Sequence, residues 1–140
     1  MIHPELEKRI DALIIRMKEL GHNIIVTSGY RSIKKQNEIY AQGRSKPGKI
    51  VTKAKGGDSY HNYGLAVDLA FLVNGNISWA ENMPWELLGK EGKLFGLEWG
   101  GDFKSIKDRP HFQYTKGFTT NQLFEIHNKY GLKKVWEAVC

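Results

Sequence analysis

Two short stretches of this 140-residue chain carry the residue types of hydrolytic chemistry: SYHNYGLAVDLAF at 59–71 and DRPHF at 108–112. In the first, His61 precedes Asp68 by seven residues, and Asp68 stands inside an otherwise apolar run. A carboxylate in a strand core is costly unless it is paired or bound to a metal. Read with period two, Leu65, Val67 and Leu69 point to the core, while Ala66, Asp68 and Ala70 point the other way. The acid then has small neighbours and open space beside it. The plainer accounts are a buried ion pair with some Arg or Lys for Asp68 and a satisfied or exposed ring for His61. In the second stretch Asp108 and His111 begin an apolar strand, with His111 and Gln113 on one side and Phe112 and Tyr114 on the other. Two histidines and one carboxylate around a metal, with a fourth position open, make a catalytic zinc site. A further carboxylate off the metal can act as general base. His61, Asp68 and His111 as ligands and Asp108 as base fit that inventory. The spacing alone leaves other sets open among the five histidines. His3 is terminal, His22 follows a glycine and His127 lies on a polar helix, so these three read as structural or exposed.

Those residues need elements to hold them. Residues 4–20 have Leu6, Ile10, Leu13, Ile14, Met17 and Leu20 at helical spacing, with Pro4 in the first turn and Gly21 as the stop. NIIVTS (23–28) reads as a strand, and Ser32 caps a helix running to about Gln42. Residues 43–60 are irregular, with four glycines, a proline and the cations Arg44, Lys46, Lys49, Lys53 and Lys55. A loop this long in a compact domain is functional or disordered, and this one runs directly into His61. GLAVDLAFL (64–72) and NISW (76–79) form a hairpin about Asn74-Gly75. A helix over 84–95, sheet segments in LEWGGDF and HFQYT, and helices in TTNQLFEIHNKYG and LKKVWEAV complete the chain. Helices and antiparallel strands mix without βαβ regularity, which predicts a single α+β domain over 1–140, a central antiparallel sheet flanked by helices.

Composition sets the outer bounds. A 41% hydrophobic, 26% charged chain is ordinary globular protein. One cysteine, Cys140, excludes an internal disulfide and multi-cysteine metal sites. The first residues, MIHPELEKRIDALIIRM, are too charged for a signal peptide, and no apolar run approaches the ~18 residues of a transmembrane helix. The net charge of +6 favours polyanionic partners in general.

SGYRS (28–32), Gln36, S-x-H-x-x-G-x-A-x-D (Ser59 to Asp68), EWGGDF and D-x-P-H-F together resemble the LAS-type zinc peptidases, the M15 group. The stretch from YRS through YAQGR, KPG, IVT and AKGG to HNYG is similar to phage L-alanyl-D-glutamate endopeptidases. The likeness runs in order over about residues 23–115. It implies the LAS, hedgehog-like fold, Zn2+ held by His61, Asp68 and His111, and Asp108 as acid/base where many relatives carry the longer Glu. It implies Arg31 as the residue that steadies the scissile carbonyl, with Gln36 and Ser59 in the substrate cleft. Trp99 belongs either to that cleft or to the core. The activity implied is an endolysin's: hydrolysis of the L-alanyl-D-glutamate bond of peptidoglycan. Nothing in the sequence suggests more than a monomer, and no nucleic-acid partner is expected. The 43–58 loop and the positive charge would meet anionic wall polymers. Residues 116–140 are too short for a separate wall-binding domain. Without a signal peptide, the expected location is the host cytoplasm until release to the wall. A D,D-carboxypeptidase with the same zinc chemistry is the nearest alternative. A glycosidase using Glu98 and Asp102, or a basic wall-binding module with a structural zinc, are the more distant ones.

Overall fold

The computed structural model describes residues 1–140. Its elements are α1 (Pro4–Glu19), β1 (Asn23–Ser28), α2 (Ile33–Ala41), a 3-10 helix (Tyr60–Tyr63), β2 (Ala66–Val73) and β3 (Asn76–Ser78). They continue through α3 (Trp85–Leu94), β4 (Glu98–Trp99), a second 3-10 turn (Gly100–Asp102), β5 (His111–Gln113), α4 (Thr120–Tyr130) and α5 (Leu132–Ala138). The α+β expectation holds, and so do the helix and strand positions to within a residue or two.

The sheet is antiparallel, in the order β1-β2-β5-β4, with β3 also on β2. β1 takes one edge of β2. Its register slips between Val26 and Ser28, a bulge that sets Ser28 opposite Asp68. The other edge is divided: β5 pairs with Ala66–Asp68, and β3 with Phe71–Val73. β2 is therefore central, and Asp68 lies directly opposite His111 in the ladder.

One face of the sheet carries the core, a contiguous cluster of 19 buried residues. Leu65, Val67, Leu69 and Phe71 supply the β2 stripe, and Leu6, Ile10, Leu13 and Met17 supply the α1 stripe. Fully burying each such side chain contributes roughly 1.5–3 kcal/mol before entropy is counted. α1 begins where the pattern requires: Pro4 at the first position, with His3 Nδ1 accepting from the Glu5 amide at 3.0 Å. His3 is buried, its Nε2 facing the Trp136 carbonyl at 3.0 Å, so it is a structural residue. Ala66 and Ala70 are fully buried, and Asp68 between them is a quarter exposed.

Candidate active site

The 3-10 helix that carries His61 is built by short-range bonds. Ser59 caps it, its hydroxyl accepting from the His61 amide at 3.2 Å, and Asn62 completes a capping box. Gly64 ends it in the left-handed region at φ 68, where a side chain would also press on the Trp136 ring. The His61 ring is then fixed from outside: Nδ1 donates to the Gly29 carbonyl at 2.9 Å. A carbonyl only accepts, so Nδ1 carries the proton and Nε2 is left as a free lone pair. That Nε2 lies 3.5 Å from Asp68 Oδ2.

His111 is fixed by a longer chain of the same logic. The Glu98 carboxylate accepts from Gln113 Nε2 at 3.3 Å and from the Thr115 hydroxyl. This orients the Gln113 amide so that its Oε1 accepts from His111 Nε2 at 2.7 Å. His111 Nδ1 is left bare, 3.5 Å from Asp68 Oδ1. The two rings stand 5.3 Å apart at 72°. Asp68 Oδ1 is buried without a hydrogen-bond partner. One donor atom from each of His61, Asp68 and His111 lies within 4.8 Å of the others. An orphaned carboxylate oxygen between two imidazole lone pairs fits a divalent metal with nitrogen and oxygen preference.

The electrostatics agree with the geometry. Burial alone would raise the Asp68 pKa, but the imidazoles of His111 and His61 beside it, once protonated, outweigh this and hold the carboxyl far below the usual range. Burial would lower His111, and Asp68 and Gln113 more than reverse this, raising it. Asp108 moves the other way: its carboxyl is raised, first by burial and then by the charge of Asp68. A carboxyl raised in this way is suited to taking and returning a proton near neutral pH. Its backbone is held by Gly100, whose carbonyl accepts from the Asp108 amide at 2.9 Å. The Asp108 carbonyl packs so closely on Gly100 that no Cβ fits there.

Arg31 reaches the same cleft from the turn after β1. Its amide donates to the His61 carbonyl at 2.9 Å, Nη1 to Gln36 Oε1 at 2.9 Å and Nη2 to Ser28 Oγ at 3.3 Å. Two of its five side-chain donors are thereby spent on aiming the group, and the rest remain for the cleft. The cleft has a volume of about 620 Å³ and is lined by Arg31, Ser59, His61, Asp68, Asp108 and His111. Val51–Ala54 and Asp58 of the long loop, and Phe103, Ser105 and Ile106, form its remaining walls together with Ile39 of α2.

Gln36, expected in the cleft, and Trp99, left between cleft and core, both lie outside its lining. Gln36 is fully buried; it accepts from Arg31 and donates to the Ala54 carbonyl at 2.7 Å, tying the arginine to the loop rather than touching the cleft. Trp99 is 4% exposed, packs over Gly89 and Gly101, and donates to the Arg109 carbonyl at 2.8 Å. Both glycines open a slot that draws the indole into the core, so it braces the Asp108–Arg109 segment from behind. Glu98 is engaged with Gln113 and Thr115, and Asp102 with Lys93 at 2.9 Å, which leaves no acid pair for glycosidic chemistry. His22 and His127 sit edge-on to Phe71 and Tyr63, away from the cluster. Sequence reasoning missed Asn62, whose side chain accepts from the Gly57 amide at 3.0 Å and donates to the Arg31 carbonyl at 3.0 Å. The S-x-x-N spacing from Ser59 was the available signal.

Comparison with known proteins agrees in kind. Residues 52–114 match a peptidase M15 family model described as D-alanyl-D-alanine carboxypeptidase. The chain is 43% identical over 121 residues to the peptidoglycan L-alanyl-D-glutamate endopeptidase CwlK of Bacillus subtilis (strain 168), covering 80% of this chain and 72% of that one. It is 32% identical over 66 residues to the L-alanyl-D-glutamate peptidase of Listeria phage A118, which spans 45% of this chain and 24% of the phage protein. Among solved structures, the Serratia marcescens L-Ala D-Glu endopeptidase ChiX superposes with a TM-score of 0.61 at 28% identity, covering 82% of this chain and 81% of that one.

Proposed function

This chain belongs to the M15 peptidase family, and from that premise we propose that it hydrolyses the L-alanyl-D-glutamate bond of peptidoglycan stem peptides, as a wall-lytic endopeptidase whose residues 1–140 act as one catalytic unit. The observation that carries the chemistry is the orphaned Asp68 carboxylate between two imidazoles with assigned lone pairs, with Asp108 on the same cleft. His61 Nε2, Asp68 and His111 Nδ1 are the atoms that would hold zinc, which when bound supplies Lewis acidity toward water and the scissile carbonyl.

The chain's own groups do the rest. Asp108 accepts the proton of the attacking water as its oxygen bonds to the L-alanyl carbonyl carbon. It then delivers that proton to the D-glutamate nitrogen as the C–N bond breaks, giving an alanine carboxylate and a free glutamate amine. Arg31 donates to the carbonyl oxygen as negative charge builds there. Gln36 and Ser28 hold the guanidinium in place, so little reorganisation is needed at the moment of reaction. Ser59 and the loop residues Val51–Ala54 shape the substrate side. The loop cations and the net charge of +6 support contact with anionic wall polymers. No helix is long and apolar enough to cross a membrane.

The family description keeps a D,D-carboxypeptidase as the second reading. A digest of purified peptidoglycan with mass spectrometry of the fragments, run beside Asp108→Ala, separates them. New amino termini at D-glutamate, absent with the variant, are expected. Release of free D-alanine moves the enzyme to the carboxypeptidase branch. No cleavage of several wall types by zinc-loaded protein removes the enzymatic reading.

A further inference from the structure

The divided edge of β2 creates a second feature that the chemistry above does not use. β3 ends at Ser78, opposite Phe71, and β5 begins at His111, opposite Asp68. Between them the Leu69 amide donates to the Pro110 carbonyl at 2.9 Å. Trp79, the residue after β3, therefore leaves the sheet beside the Asp108–Pro110 segment. It is 52% exposed and lies parallel to Trp85, the rings 6.5 Å apart and 8° from coplanar. Trp85 is anchored: its indole N–H donates to the Ala80 carbonyl at 2.9 Å, and it meets Phe71 edge-on at 4.9 Å. The Arg109 guanidinium stands 5.7 Å from the Trp85 ring centre. Trp79, Trp85, Lys107, Asp108, Arg109 and Pro110 enclose a groove of about 270 Å³. Asp108 lines both this groove and the catalytic cleft, so the two adjoin at that residue.

The substrate supplies the occupant. In a peptidoglycan stem, L-alanine is the first residue, joined through a lactyl group to an N-acetylated amino sugar. One residue and one lactyl unit separate the scissile carbonyl from the sugar, a reach of roughly 7 Å when extended. A cleft that seats this bond at Asp108 must meet the sugar nearby. The C–H face of a pyranose is apolar and flat and packs on an indole face, while its hydroxyl and acetamido oxygens accept from cationic donors at the rim. A half-exposed indole with a guanidinium and an ammonium at its border has that pairing of surfaces. Resting on the endopeptidase reading, we propose that the Trp79 shelf is a subsite for the N-acetylated amino sugar that bears the stem peptide. Trp79 is its platform, and Arg109 and Lys107 are its donors. The enzyme thereby reads the glycan and the peptide together.

Two readouts test this. The first compares kcat/KM on an N-acetylmuramyl-peptide and on the same peptide with a plain N-acetyl cap. Trp79→Ala should lower it about three- to tenfold on the sugar-bearing substrate and leave the capped peptide unchanged, with Trp79→Phe restoring part of the loss. Equal effects on both substrates, or none on either, overturn the subsite. The second readout needs no cleavage: titration of the peptide-free N-acetylglucosaminyl-N-acetylmuramic acid disaccharide, followed by the indole N–H resonances. Trp79 should shift while Trp99 and Trp136 stay still, and Trp79→Ala should abolish binding. A silent Trp79 overturns the proposal. Failure of the wild type to cleave either substrate counts against the endopeptidase reading, and the titration still decides the shelf.

Discussion

The two sides of the cleft are built differently. One side is the sheet: Asp68 and His111 face each other across a backbone ladder, and both imidazoles are oriented by buried or half-buried partners. The other side is the 43–59 loop, which has no regular element beyond an isolated Gln42–Lys46 bridge. Side chains hold it instead. Gln36 donates to the Ala54 carbonyl, Asn37 accepts from the Gly56 amide at 2.8 Å, and Arg44 donates to the carbonyls of Tyr40 and Thr52. The Tyr63 hydroxyl donates to Gly57, and its pKa is pushed up to about 12, chiefly by burial. Register that is written in backbone bonds tolerates side-chain change, whereas a loop pinned by single hydrogen bonds moves when one is lost. Substitutions near the sheet should therefore act on the chemical step or on metal affinity, and those along the loop on substrate affinity.

Arg31 joins the two sides, so its loss is the severest test of that division. Arg31→Ala should lower kcat by about 10²–10³-fold while zinc content, measured by atomic emission, stays at the wild-type level; a change confined to KM would place the arginine in binding alone. Next comes the sheet side without touching a ligand. Gln113→Leu frees the His111 ring and should weaken zinc affinity about 10–100-fold, measured by competition with a chromogenic chelator. Unaltered affinity would mean that the ladder alone orients His111. On the loop side, Asn37→Ala should raise KM about two- to tenfold, the value of one hydrogen bond, with kcat unchanged. A fall in kcat instead would show that the loop shapes the chemistry. The smallest effect concerns acid. The folded Asp68 carboxyl is held below its unfolded value. Its stabilising contribution is therefore complete above the unfolded pKa of about 3.9 and is lost as pH falls through the folded value. Urea unfolding of metal-free protein should show the wild type losing stability more steeply than Asp68→Asn as pH drops below about 4. Parallel curves would refute the pairing of Asp68 with the two histidines.

Much of this was legible in the chain. Alternation in β2 picked out Leu65, Val67 and Leu69 as core and Asp68 as the exception, because period two is a local property. The α1 stripe, the Asn74-Gly75 turn and the Ser32 cap were local as well. What failed or stayed open was set by distant partners. Trp99 enters the core because Gly89 and Gly101 leave room for its ring, and a Trp between Glu98 and Gly100 carries no sign of that slot. Gln36 was expected in the cleft only because the family resemblance implies it there. Its burial is imposed by the loop, through the Ala54 carbonyl 18 residues away. The ring-nitrogen assignments likewise depend on Gly29 and Glu98, which no spacing rule connects to the histidines. Trp79 read as the end of a return strand, with nothing local to announce Arg109 as its neighbour.

The bond from the His61 ring to the Gly29 carbonyl bridges 32 residues, and Asp68 must wait for His111, 43 positions later by subtraction (111 − 68). Contacts that far apart form late, because loop-closure entropy must be overcome first. A chain emerging from the ribosome at about 5–20 residues per second thus carries Arg31, His61 and Asp68 for seconds before β5 and its Gln113–Glu98 support can dock. Until His111 has been made the His61–Asp68–His111 cluster does not exist, and a product cut short before it lacks one of the three candidate metal ligands.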